Sequence, residues 1–90
     1  MRISFDPNKR RKTLHERGLD FADAARIFAG PHFENLDDRF DYGEDRYITV
    51  GLLDGIVVVI VWTQRGQTRR IISMRKANAK ETQSFFASLG

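Results

Sequence analysis

The period of the hydrophobic positions changes several times along the chain, and each change marks an expected element. Ile3-Ser4-Phe5 alternates briefly, as a short edge strand does. Asp6-Pro7 reads as a helix start, because the carboxylate accepts from exposed N–H groups and proline at the first helical position needs no donor. A first helix is expected over residues 8–17, closed by Gly18. Leu14 is its only strongly apolar residue, so Lys and Arg stems must cover part of its contact and one face stays cationic. Asp20 is placed to cap a second helix with Asp23 near its third position, and Phe21, Ala24, Ala25 and Phe28 recur at i, i+3, i+4 and i+7. Gly30-Pro31 stops that helix.

From there the pattern becomes one of strands. Residues 32–36 and 46–53 each read as a strand, on either side of an acidic loop over 37–45. Asp54-Gly55 is a two-residue hairpin turn. Residues 56–64 hold six consecutive Val or Ile followed by Trp62, a composition that implies burial on both faces and a central place in the sheet. A turn at 65–67 leads into a strand over 68–75, and residues 77–89 form a terminal helix with Phe85, Phe86 and Leu89 as its apolar side. The expected order is β-α-α-β-β-β-β-α in one domain spanning residues 1–90. This is an α+β fold with the two N-terminal helices packed on one face of a mostly antiparallel sheet and a helix at the C-terminus.

Strict alternation along the last strand would place Arg69, Ile71, Ser73 and Arg75 on one face, and Arg70, Ile72 and Met74 on the other, toward the core. The first face would then line a shallow phosphate-binding groove, with Arg65 and the terminal helix beside it. A β-bulge would exchange the faces from its position onward.

Charge sharpens this picture. Residues 1–19 carry six Lys/Arg against two acids, residues 20–54 carry nine acids against three Arg, and residues 55–90 carry six Lys/Arg against Glu81. Two basic ends that fold together form one positive patch, the footprint of a polyanion partner; scattered solvated charge is the alternative.

Ninety residues leave room for a single modest core. The absence of cysteine excludes disulfides, thiolate zinc sites and a cysteine nucleophile, and suits a reducing compartment. No apolar run approaches the ~20 residues that span a bilayer, and residues 1–8 lack a signal peptide's apolar stretch, so a cytoplasmic protein without a membrane partner is expected. The acids of the loop over 37–45 match no calcium-loop spacing, and no phosphate-cradling GxxxxGK[ST] run occurs; Gly51, Gly55 and Gly66 read as isolated turn glycines. Neither a metal nor another cofactor is expected.

Three blocks in order, "FDPNKRRKTLHERGLDFADAARIFAGP", "DYGEDRYITVG" and "RRIISMRKANAKE", resemble the BrnT family of bacterial type II toxins over nearly the whole chain. The resemblance implies a RelE-like fold, ribonuclease activity and inhibition by a cognate BrnA-like antitoxin with a ribbon-helix-helix region. Operator DNA would then be bound only through the antitoxin. It also places Arg46, Arg70, Ser73, Arg75 and Glu81 on recurring family positions. Many relatives carry Lys-His-Gly where this chain has Glu16-Arg17-Gly18, so a role for a histidine there does not carry over, and His15 lies two residues earlier.

RNA cleavage without a metal uses the substrate's 2′-hydroxyl as nucleophile, and electrostatic stabilisation of the phosphorane is usually the largest share of catalysis. Arginine suits that task because its fork binds phosphate oxygens in pairs and keeps its charge. Arg46, Arg70 and Arg75 are therefore the candidate stabilisers, and each has an ion-pair partner as its alternative reading. His15 is a candidate acid or base, or simply a helix-face residue. Arg65, Arg69, Ser73, Lys9, Lys12 and Tyr47 are candidate substrate contacts. Lys9 and Lys12 fit an antitoxin interface equally well, Tyr47 fits strand packing, and Arg65 fits a solvated turn. Glu81 either holds an arginine in place or acts as a base. A noncatalytic nucleic-acid-binding module is the competing class.

Overall fold

The computed structural model describes residues 2–90. The elements are β1 (Arg2–Ser4), α1 (Pro7–Arg17), a 3-10 turn (Phe21–Asp23), α2 (Ala24–Ala29), β2 (His32–Asp37), β3 (Arg46–Leu53), β4 (Ile56–Arg65), β5 (Thr68–Lys76) and α3 (Ala79–Ser88). The strands form one sheet in the order β1-β5-β4-β3-β2. The β2–β3, β3–β4 and β4–β5 pairs are antiparallel, but β1 lies parallel to β5, with Arg2, Ile3 and Ser4 opposite Thr68, Arg69 and Arg70. The sheet is mixed, with the first and last strands of the chain paired in parallel at one edge and β2, which follows the helices, at the other.

Local chemistry sets the element ends. Asp6 accepts from the Asn8 N–H at 2.8 Å at the start of α1, and Gly18 ends it at φ 69°, its N–H donating to the Leu14 carbonyl. Asp20 accepts from the Ala22 N–H and opens the 3-10 turn rather than a full α-helix, so only six residues of α2 are α-helical. This tighter start sets the helix phase: Phe21, Ala24, Ile27 and Phe28 are buried, while Ala25 is exposed. Asp54 and Gly55, at φ 51° and 80°, make the two-residue hairpin between β3 and β4.

β4 is central, as its run of β-branched residues requires, and Val57, Val58, Val59 and Ile60 are all buried. Alternation places Val58, Ile60 and Trp62 on one face, where they join Leu19, Phe21, Ala24, Ile27 and Phe28 with Leu53, Ile71 and Met74 in the main core. Gly51 is no turn residue. It lies within β3 on that core face, and a Cβ there would come 2.7 Å from Ile27 Cγ2 and 3.1 Å from His32 Cβ. The glycine allows α2 to seat on the sheet.

Only α2 and its 3-10 turn cover the core face. α1 buries no residue, leaves Leu14 44% exposed, and runs along β5 at the sheet edge, where Arg17 donates to the Met74 carbonyl at 2.8 Å. The expected pair of N-terminal helices on one face is thus half met, because a helix with a single apolar residue has little to bury. α3 covers the second face instead, through Phe85, which meets Phe33 of β2 edge-on at 5.5 Å. Its capping box joins Asn78 and Glu81.

Between Val61 and Trp62 the β4–β5 register shifts: Val61 faces Ser73 and Trp62 faces Ile71, leaving Ile72 as an extra residue in β5. This bulge corrects the strict alternation. Ile71 and Met74 are both core residues, and Ser73 joins Arg70 on the second face.

Candidate functional site

The second face carries the convergence of cations. Arg46 at the start of β3, Arg65 at the end of β4 and Arg70 on β5 line one groove with Lys9 of α1, with Asp6, which caps that helix, and with Tyr42 and Glu44 of the β2–β3 loop, around a volume of about 260 Å³. Thr63 faces Arg70 across β4 and β5, and its hydroxyl donates to the Asp45 carbonyl at 2.6 Å, which ties the loop end to the sheet.

The arginines of this groove are unequally partnered. Arg46 lies with its guanidinium 4.0 Å over the Tyr42 ring, and its Nε is buried without a hydrogen-bond acceptor, 3.7 Å from a Glu44 oxygen. The other Glu44 oxygen is 3.4 Å from Arg65. Both contacts are longer than a close charge-assisted bond, so Glu44 spans two cations and saturates neither. Among the described residues Arg70 and Lys9 enter no ion pair. Asp6 is committed to capping α1.

Asp37 builds the wall behind Arg46. The sequence puts it at the head of a solvated acidic loop, yet its side chain is 1% exposed and accepts from Arg39 Nε at 2.8 Å, Arg39 Nη2 at 3.0 Å and the Tyr42 hydroxyl at 3.2 Å. These donors, Arg39 foremost, hold its carboxyl down at about 2. Tyr42 is thereby oriented beneath Arg46. The place of Glu44 in the groove does not show in the sequence, because nothing local reveals that the loop folds back over the sheet.

Other expected residues lie elsewhere. Lys12 and Ser73 line an adjoining groove between α1 and β5. Arg75 is bound by both terminal nitrogens to Glu81, at 2.7 and 2.8 Å, nearer α3 than the Arg46 groove. Glu81 therefore holds an arginine, and the Arg75 bonds with the Asn78 N–H depress its carboxyl to about 2. Arg69 is on the opposite face, its guanidinium 4.4 Å over the Phe28 ring and 4.6 Å over Trp62. Tyr47 is on that face too, stacked on Trp62 at 4.8 Å. His15 is exposed on α1 and lines neither groove. Among the described residues no three His, Asp or Glu side chains gather as a metal site, and no helix is long and apolar enough to cross a membrane.

A mixed α+β domain with a cationic groove on one face of its sheet places the protein among small basic domains, whose concentrated positive charge attracts anions. More specifically, the chain belongs to the family described as the ribonuclease toxin, BrnT, of type II toxin-antitoxin systems, whose profile matches residues 5–81. Membership implies a ribonuclease toxin with a cognate antitoxin. No curated protein matches the chain.

Proposed function

We propose that the groove of Arg46, Arg65, Arg70 and Lys9 is the ribonuclease centre of this toxin, cleaving RNA by attack of the substrate's own 2′-hydroxyl with arginines rather than a metal ion supplying the positive charge. The observation that carries this reading is the meeting of Arg46, Arg65 and Arg70, from three strands, in one groove where Arg70 enters no ion pair among the described residues. Guanidinium forks at that point meet phosphate oxygens as they gain charge in the phosphorane, where stabilisation counts most. Glu44 is the groove's one carboxylate not used as a cap, and it takes the proton from the 2′-hydroxyl as O2′ bonds to phosphorus. The P–O5′ bond breaks, and the departing oxygen takes its proton from Lys9, since the Tyr42 hydroxyl is engaged with Asp37 and the arginines keep theirs. The product ends are a 2′,3′-cyclic phosphate and a 5′-hydroxyl. The cognate antitoxin inhibits by laying acidic side chains across the same groove.

A single-stranded RNA assay with and without EDTA tests the centre. Cleavage should persist in chelator and leave cyclic phosphate ends, and Arg46→Ala or Arg70→Ala should lower kcat by roughly 10²–10³-fold. Cleavage abolished by chelator would overturn the mechanism, and salt-sensitive binding without cleavage would make the protein a noncatalytic nucleic-acid-binding module.

A further inference from the structure

The groove at the catalytic face does not stop at Arg70. A second depression of about 290 Å³ between α1 and β5 is lined by Lys9, Lys12, Thr13, Ile72 and Ser73, with Glu16 and Arg17 at its helix side. It shares Lys9 and Ile72 with the first, so the two are continuous. We propose that this second depression holds the neighbouring phosphate of the same RNA strand, making the shortest well-bound ligand a single-stranded trinucleotide with two phosphates. The inference rests on the ribonuclease reading for the identity of the strand.

Three features carry it. The first is the bulge at Ile72, which brings the Ser73 hydroxyl onto the face of Arg70; without it Ser73 would share the core face on which Ile71 stands. The second is spacing. Arg70 faces Thr63 and Ser73 faces Val61, two residues apart on β4, and two strand steps cover about 7 Å, the scale on which successive phosphates follow one another along an extended strand. The third is charge. The first turn of α1 carries no acid, and neither Lys9 nor Lys12 is in an ion pair among the described residues. Arg17 is occupied by the Met74 carbonyl, leaving Glu16 as the one carboxylate on this rim. A mobile ammonium beside two hydroxyls suits a phosphate that is gripped for register rather than for chemistry.

The probes are 2′-O-methyl di- and trinucleotides, which carry one and two phosphates and cannot be cleaved. Wild-type protein should bind the trinucleotide about tenfold more tightly, the scale of one added charge-assisted contact. Lys12→Gln, an exposed helix substitution, should collapse that ratio toward one and lower the salt slope of trinucleotide binding by about 0.7. Ser73→Ala should shrink the ratio in the same direction. A ratio near one in the wild type, or a ratio unchanged by Lys12→Gln, overturns the second subsite. Because these ligands report binding alone, failed RNA cleavage would remove the catalytic reading while leaving this measurement decisive.

Discussion

At Glu81 three donors converge on one carboxylate: both terminal nitrogens of Arg75 and the backbone N–H of Asn78. Its folded pKa of about 2 lies below the ordinary 4.5, and that of Asp37 is about 2 against 3.8. Depressed carboxyls stabilise the fold at pH above their unfolded values and lose that contribution as pH falls through the folded ones. The unfolding midpoint should therefore drop between pH 4.5 and 2, and Glu81→Gln or Asp37→Asn should flatten that limb in denaturation followed by circular dichroism. At this scale the sequence is a fair guide to which residue types matter and a poor guide to their partners. Arg70 and Arg75 look alike in "RRIISMRKA", yet among the described residues one enters no ion pair and the other is clamped. The difference is made by a helix turn whose position relative to β5 no local pattern encodes.

Among the elements, α2 and β3 show how close approach is written in composition. Gly51 has Ile27, His32 and Pro31 packed within 3.3 Å of where a Cβ would stand. Gly51→Ala should cost about 1–3 kcal/mol, because a buried isoleucine must move to admit the methyl group, and urea unfolding with an unchanged m-value would show it. Strand identities, the central place of β4 and the Asp54-Gly55 turn were legible because burial and turn chemistry leave periodic traces. The Ile72 bulge was not, since an extra residue alters register without altering composition. Its effect is nonetheless large for the site, as it decides on which face Ser73 stands. The 3-10 start of α2 escaped for a related reason: a cap at Asp20 announces a helix but not its pitch.

For the whole molecule, the two sheet faces divide the work. The basic first and last segments do meet, α1 against β5, while the acidic middle segment returns one carboxylate, Glu44, into the groove between them. α3 covers the other end of that face, anchored by the buried Phe85 on Phe33. Phe85→Ala should cost about 3 kcal/mol, at the low end for a buried aromatic because α3 is peripheral. RNA cleavage per folded molecule should be retained, which a cleavage assay normalised to folded fraction by circular dichroism would check. Charge segregation was readable from the sequence; the retreat of Arg69 and Tyr47 to the far face was not, because aromatic company for a guanidinium is assembled across the chain. Trp62, the sole tryptophan, is buried there beneath Arg69, with its indole N–H donating to Thr49 at 2.8 Å. The protein thus contains an optical gauge on the side of the sheet turned away from the Arg46 groove: its emission follows loosening of the interior and supplies a record of integrity independent of what occupies that groove.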